Sequence, residues 1–247
     1  YDIYKINGYN TYYRKIYKNY ITSEIMQLIL SGGGSAEKSK DLDKFFISLI
    51  PKNKKLLYIP IAMKDKYNAY ECQKWLESCL FPLGFKNIET WGNTSSKNIK
   101  DLEKFGAIYI GGGNTFSLLH DLRKTKFIGI LKKFIENNGL VYGGSAGAII
   151  LGKEITTCGD KNKVKLKNTA GLNFVNNFSL VCHYKKENEI TELKKRTNLK
   201  IIALPEGCGL YVQNKKITVK GIGCAYLFNK EGKTKFKMDQ EINELLS

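Results

Sequence analysis

One segment of the sequence combines a serine with closely spaced glycines in a setting that suits nucleophilic catalysis. Residues 140–150 consist of an apolar strand pattern, a Gly-x-Ser-x-Gly turn and an apolar helix start. Such a turn forces its serine, Ser145, into a strained backbone conformation and points the hydroxyl outward. The helix that follows offers backbone N–H groups to a developing oxyanion. A purely structural glycine-rich turn is the alternative, and the strand-turn-helix context favours a nucleophile.

A serine hydroxyl needs a base within hydrogen-bond reach and a carboxylate that orients the base. The chain contains two histidines. His120 falls inside a presumed helix, where a surface or packing role fits better than catalysis. His183 ends the apolar strand-like run 178–182 and is the better base. Glu206 follows the apolar run 201–204, so we expect it at a strand end near the same sheet edge, where it is the candidate carboxylate.

The order of these residues along the chain, serine then histidine then glutamate, differs from the order in α/β-hydrolases and argues against that superfamily. A second glycine loop, residues 111–113, follows a strand pattern and lacks the signatures of phosphate-binding loops. It fits a loop that supplies a second oxyanion donor. The earlier run Gly32-Gly33-Gly34 is expected to be a turn along the same sheet edge, without a chemical role.

Short apolar segments alternate with longer amphipathic ones, which predicts an α/β fold: a doubly wound, mostly parallel sheet between two helix layers. Ligand sites in such sheets form at the carboxyl ends of strands. We predict strands at 27–31, 55–60, 107–110, 140–142, 201–204 and 209–212, and helices at 39–50, 67–83, 115–122, 128–137 and directly after Gly144. The hydrolase domain is expected to span residues 26–247, after a Tyr-rich extension of unknown role at 1–25.

Composition fits one large soluble α/β domain of 247 residues. The 40 Lys and Arg residues outnumber the 23 Asp and Glu residues and give a formal charge of +17. The lysines are dispersed, so we expect compositional bias and no specific nucleic-acid partner, with an attraction for anionic substrates left open. Six scattered cysteines and two histidines predict reduced thiols and no metal site. We expect a cytoplasmic protein without a membrane partner.

Four motifs together resemble peptidase family S51, the group of peptidase E (aspartyl dipeptidase) and cyanophycinase, whose fold is similar to that of class I glutamine amidotransferases. In chain order the motifs are residues 111–116, 144–148, 183–184 and 205–207. The resemblance covers roughly residues 26–228 and implies that Ser145, His183 and Glu206 form a catalytic triad. It also implies an oxyanion hole from two backbone N–H groups, those of Gly113 and Ala146.

The resemblance further implies a small peptide substrate, no cofactor, and a serine-type dipeptidase that cleaves after an N-terminal aspartate. Asn114 is a candidate substrate-binding residue, and Lys185, Lys186 or a lysine between Lys161 and Lys167 would receive the aspartyl carboxylate. Cys182 stands where peptidase E members often have proline. Two alternatives stay open: a cyanophycinase-like or isoaspartyl-type hydrolase, or a catalytically retired amidotransferase-like module that binds a ligand. Monomer and dimer also stay open.

Overall fold

The computed structural model describes residues 26–196, 198–230 and 232–242. The expected extension at residues 1–25 lies outside the described residues. The strands are β1 Gln27–Ser31, β2 Lys55–Ile59, β3 Ile88–Thr90, β4 Phe105–Ile110, β5 Leu140–Gly144, β6 Phe178–Cys182, β7 Lys200–Leu204, β8 Cys208–Gln213, β9 Lys216–Gly221, β10 Cys224–Asn229 and β11 Gly232–Lys237. The α-helices are α1 Ala36–Leu49, α2 Ala69–Leu80, α3 Thr115–Lys124, α4 Phe127–Glu136, α5 Ala146–Ile149 and α6 Glu187–Arg196.

The main sheet has the strand order β3-β2-β4-β5-β1-β8-β9. Its first five strands run parallel, and β8 and β9 are added in antiparallel orientation. Neighbouring residues of a strand pack on opposite faces, since side chains alternate across a sheet. Tyr58 of β2 packs with Phe46 of α1 and Leu76 of α2, whereas the adjacent Leu57 packs with Leu119 of α3. The predicted three-layer α/β/α fold with a mostly parallel sheet is therefore confirmed.

A second sheet, with the order β11-β10-β7-β6, was not foreseen from the sequence. The predicted strand at 201–204 belongs to this sheet, as β7, and pairs in parallel with β6. Ile202 and Leu204 face the main core, while Ile201 and Ala203 pack in a separate cluster with Ile190 of α6. Because both faces of β7 are apolar and buried, its sequence resembles that of a central strand of the main sheet.

One predicted helix is clearly shorter in the structure. The predicted helix at 67–83 ends as α2 at Leu80, and residues Phe81–Leu83 form a 3₁₀ turn that contains Pro82. A proline cannot donate the backbone hydrogen bond that would continue an α-helix. The helix after Gly144 is a single turn, α5. No helix among the described residues combines the length and the apolar character needed to cross a membrane.

Candidate active site

Ser145 lies in the sharp turn between β5 and α5. Its backbone has φ 49° and ψ −107°, a region that residues with side chains rarely occupy. The turn is held because the Ser145 N–H donates to the Ser31 carbonyl oxygen at 3.0 Å. This is the strained backbone expected for a nucleophile elbow, and it places the hydroxyl beyond the carboxyl ends of the parallel strands.

His183 and Glu206 lie next to this serine. The Ser145 Oγ is 2.9 Å from His183 Nε2, and His183 Nδ1 is 3.0 Å from Glu206 Oε1. His183 follows β6 and Glu206 follows β7, so both come from the second sheet and reach the edge of the main sheet. The structure thus brings together the three residues that the sequence singled out. Such a chain of hydrogen bonds can remove a proton from a serine hydroxyl.

Three consecutive carbonyl groups after β1 hold the segments that carry these side chains. The carbonyl oxygens of Ser31, Gly32 and Gly33 accept the N–H groups of Ser145 at 3.0 Å, of His183 at 2.9 Å and of Gly207 at 2.9 Å, respectively. The loop Gly32-Gly33-Gly34, for which we expected no chemical role, therefore helps to connect the segments that carry Ser145, His183 and Glu206. Sequence reasoning found the turn, but the partners of its carbonyl groups are distant in sequence.

Gly33 also makes room for the imidazole ring. Its φ is +88°, which a residue with a side chain rarely adopts, and a Cβ at this position would stand 2.4 Å from His183 Cε1. Such a distance is far below van der Waals contact. The ring can occupy its place beside Ser145 only because residue 33 has no side chain.

Lys38, in the first turn of α1, is a member of the site that sequence reasoning missed. Its Nζ lies 2.7 Å from Glu206 Oε2, the oxygen that does not face His183. Hydrogen bonds from Lys38 and, second, from His183 lower the pKa of Glu206 to about 2. Glu206 is therefore ionised at neutral pH. Nothing in the sequence distinguishes Lys38 from the many other dispersed lysines.

The glycine loop before α3 contains Gly113, whose N–H group we expected to be an oxyanion donor. Gly111 and Asn114 are fixed, because their N–H groups donate to the carbonyl oxygens of Ile59 and Ala62, each at 3.0 Å. In the described part of the chain, the N–H groups of Gly113 and Ala146 make no hydrogen bond. Gly113 lines the same surface openings as Ser145, and Ala146 directly follows the serine. Both N–H groups remain available to a ligand.

Both polar atoms of the Asn114 side chain make hydrogen bonds within the protein. Its Oδ1 accepts the N–H of Ser117 at 2.9 Å and so caps α3, and its Nδ2 donates to the Lys161 carbonyl oxygen at 3.0 Å. Asp160 accepts the N–H and the hydroxyl of Thr115 at 2.8 and 2.7 Å. Asn114 thus lies in the lining of the site and, with Asp160, anchors the segment around residue 160 to α3. A direct contact between Asn114 and substrate stays a prediction.

Two clefts open beside Ser145, and both are lined by Met63, Gly113, Ser145 and His183. The first, about 990 Å³, has the exposed Lys66, Lys161 and Lys163 in its wall and is called here the lysine cleft. Lys185 and Lys186 line neither cleft in the described structure. The second, about 590 Å³, is called the aromatic cleft after its lining by Tyr58, Tyr67, Trp75, Tyr109 and Tyr142.

The cysteines and the other histidine lie outside the chemistry described above. All six cysteines are free thiols, and no group of three His, Cys, Asp or Glu side chains among the described residues is placed to hold a metal ion. Cys182 Sγ donates to the carbonyl oxygens of Ser31 at 3.5 Å and Ser145 at 3.6 Å, and burial raises its pKa. His120 Nδ1 lies 3.1 Å from Asp121 Oδ1 on α3, away from both clefts.

Comparison with known proteins identifies relatives over most of the chain. The family model described as Peptidase family S51 matches residues 27–220. The Drosophila melanogaster protein "Probable alpha-aspartyl dipeptidase" is 29% identical over 221 residues, which cover 83% of this chain and 88% of that protein. A "Peptidase E" from a Nostoc species is 30% identical over 188 residues, which cover 71% of this chain and 76% of that protein.

A solved structure shares the fold. The crystal structure of a peptidase from an acI-B1 Actinobacterium matches with a TM-score of 0.71 and 18% sequence identity, and the match covers 90% of this chain and 99% of that one. At this level of identity the match supports the three-layer architecture described above.

Proposed function

The chain belongs to peptidase family S51 and is a serine-type peptidase, and from this premise we propose that it is a dipeptidase that hydrolyses Asp-X peptides. In this proposal Ser145 is the nucleophile, His183 the general base and Glu206 the carboxylate that orients it. One observation carries the proposal: the His183 ring lies within hydrogen-bond distance of both other side chains, at 2.9 and 3.0 Å.

The reaction would proceed through an acyl-enzyme. Ser145 Oγ attacks the backbone carbonyl carbon of the N-terminal aspartate while the hydroxyl proton passes to His183 Nε2. Collapse of the tetrahedral intermediate breaks the C–N bond, and the imidazolium returns the proton to the leaving amine. A water molecule then attacks the ester carbonyl while its proton passes to the same nitrogen. Breakage of the ester bond releases aspartate, and the imidazolium returns the proton to Ser145 Oγ.

Three further groups would assist these steps. The negative oxygen of the intermediate would be stabilised by the N–H groups of Gly113 and Ala146, which carry no hydrogen bond within the described chain. Glu206 would accept the Nδ1 proton of His183 and stabilise the imidazolium. Lys38 would keep that carboxylate ionised and in place through its 2.7 Å contact.

The preference for aspartate is supported by the lysine cleft. Lys66, Lys161 and Lys163 line this cleft, and their side chains form no ion pair with a described residue. They can offer charge-assisted hydrogen bonds to the carboxylate of an N-terminal aspartate. Asp65 lines the same cleft and has the charge that attracts a free α-amino group. The named relatives include an alpha-aspartyl dipeptidase.

A dipeptide panel of Asp-Leu, Glu-Leu, Asn-Leu and Ala-Leu tests this function, with amine release as the readout. We expect cleavage confined to Asp-Leu, with Asn-Leu as the isosteric control that lacks only the charge. Ser145→Ala should lower kcat by about 10⁴-fold or more while its circular dichroism stays that of the wild type. Full activity in folded Ser145→Ala would exclude the proposed nucleophile. Cleavage of none of the dipeptides by wild type would exclude dipeptidase activity of this specificity.

A further inference from the structure

We propose that the aromatic cleft binds the side chain of residue X, whose amine is the leaving group, and that the enzyme therefore prefers Asp-X dipeptides with an aromatic or large aliphatic X. This inference rests on the proposed function, because it assigns a substrate group to the second of two clefts that meet at Ser145. It adds a specificity-determining surface on α2, with Trp75 at its centre.

His183 borders both clefts, and Gly33 marks the side of its ring that faces the aromatic cleft. The imidazolium must hand its proton to the departing amine, so the amine of residue X has to lie beside this ring. Gly33 lies against the His183 ring, with its hypothetical Cβ 2.4 Å from Cε1. Gly33 and the adjacent Gly34 line the aromatic cleft and not the lysine cleft.

The two clefts also differ in the charge of the side chains that line them. The lysine cleft provides the cations that an aspartyl side chain requires, and no lysine or arginine is among the described residues that line the aromatic cleft. Glu71, the one carboxylate there, accepts the N–H of Asn68 at 2.8 Å as part of the cap of α2. An aspartate side chain would lose its hydration in the aromatic cleft without gaining a cation, whereas an apolar side chain loses nothing polar.

Two of the aromatic side chains that line the aromatic cleft are exposed to solvent. Trp75 is 44% exposed and Tyr67 is 50% exposed, and both border this one cleft. Trp75 follows Glu71 by one turn of α2, which places both residues on the face of the helix that lines the cleft. A volume of about 590 Å³ accommodates a large side chain. An apolar X that packs against Trp75 and Tyr67 removes their apolar surface, and its own, from water.

Rates for Asp-Phe, Asp-Leu and Asp-Gly measured with wild type and Trp75→Ala test the assignment. We expect kcat/KM for Asp-Phe to exceed that for Asp-Gly by about tenfold or more in wild type. Trp75→Ala should reduce this ratio by at least about threefold and leave the Asp-Gly value within about twofold of wild type. Equal rates for Asp-Phe and Asp-Gly, or an equal loss on every substrate in Trp75→Ala, would overturn the inference.

Tyr70→Ala is the matched control. Tyr70 lies on the same helix, is 68% exposed and lines neither cleft. We expect this variant to keep the wild-type ratio between Asp-Phe and Asp-Gly. A change of the ratio in Tyr70→Ala as large as in Trp75→Ala would show a general effect of α2 and count against the assignment.

A binding measurement separates failure of this inference from failure of the proposed function. The chain has two tryptophans, of which Trp91 is only 7% exposed, so solvent-sensitive emission reports mainly on Trp75. We expect L-phenylalanine, but not glycine, to cause a saturable blue shift that is absent in Trp75→Phe. If no Asp-X dipeptide is cleaved and the shift occurs, the proposed function fails and the cleft assignment stands. The absence of a shift in wild type would overturn the assignment.

Discussion

Gly33 controls the position of the candidate base by having no side chain. We predict that Gly33→Ala lowers kcat/KM by on the order of 10²-fold or more, because the new Cβ displaces the imidazole from Ser145. The unfolding free energy should fall by only about 1–2 kcal/mol, the cost of a side chain at positive φ, since the flexible His183 ring can rotate away. Steady-state kinetics and urea unfolding measure the two effects.

Gly129→Ala provides the control for this substitution. Gly129 lies within α4, and a Cβ there meets no atom within 4 Å. This variant should keep full activity and gain up to about 1 kcal/mol in stability, because alanine favours a helix over glycine. Wild-type activity in Gly33→Ala would contradict the account of the ring's position.

Lys38 sets the pH range over which Glu206 stays charged. The hydrogen bond from Lys38 is the first cause of the low Glu206 pKa of about 2, so Lys38→Met should move that pKa back toward its ordinary range. Removal of this positive charge makes it easier to protonate the hydrogen-bonded pair of Glu206 and His183, so the acid limb of the kcat/KM profile shifts to higher pH. At about pH 7 the loss should be a modest two- to tenfold, because the carboxylate is still ionised.

The pH profiles of three variants test this role. Lys38→Arg should restore the wild-type acid limb, and Lys40→Met, a change at an exposed lysine of the same helix, should leave it unchanged. An acid limb that is identical in Lys38→Met and wild type would contradict the role assigned to Lys38.

At the scale of elements, α1 carries a buried carboxyl group that lowers stability at high pH. Asp43 is 3% exposed and accepts a hydrogen bond from Ser39 Oγ at 2.8 Å. Burial raises its pKa from 3.8 to about 6. A raised folded-state pKa means that folding favours the protonated carboxyl group. The contribution of protonated Asp43 to stability is therefore complete below about pH 4 and is lost as the pH rises through about 6.

Asp43→Asn should therefore be more stable than wild type at about pH 8, by about 1–3 kcal/mol, and the difference should narrow on acidification to about pH 4. Urea unfolding at several pH values measures this. Asp41→Asn, at an exposed position of the same helix, should change stability little at any pH. A stability difference between Asp43→Asn and wild type that does not depend on pH would contradict the burial of an ionisable group.

The elements that the sequence predicted are those with a clear apolar period. The strands that end at Ser31, Ile110 and Leu204 all end where expected. Helix α3 begins where predicted and ends two residues later, and α4 is shifted by one residue at each end. β9 and β11 were missed because lysines interrupt their pattern and little of β11 is buried. The assignment of β7 to a second sheet depends on long-range pairing, which a local apolar run does not encode.

In the site, too, residues with a local sequence pattern were predicted and residues placed by long-range contacts were not. Ser145, His183 and Glu206 were found because each follows an apolar run with a distinctive turn, and the structure brings them within hydrogen-bond distance. Lys38 was missed because its partner is 168 positions away in the chain. The clefts could not be predicted, since each is lined by segments that are far apart in the chain and come together only in the folded protein. Lys161 lines one cleft and Trp75 lines the other.

At the scale of the whole molecule, the formal charge of +17 should speed the capture of anionic substrates. We predict that kcat/KM for Asp-Leu falls about two- to fivefold when NaCl is raised from about 20 to about 200 mM, because salt screens the attraction. Asp-Lys, whose net charge is less negative by one because of its lysine side chain, should show a weaker dependence. The same salt dependence for the two substrates would contradict a role for the charge in capture.

The central claim, that Ser145 is activated by His183, is tested most directly by labelling with a fluorophosphonate and mapping the adduct by mass spectrometry. We expect one adduct per chain, on the peptide that contains Ser145, no adduct in Ser145→Ala, and labelling slowed by about 10²-fold or more in His183→Ala. An adduct at another residue, or labelling of Ser145 at an unchanged rate in His183→Ala, would contradict the claim.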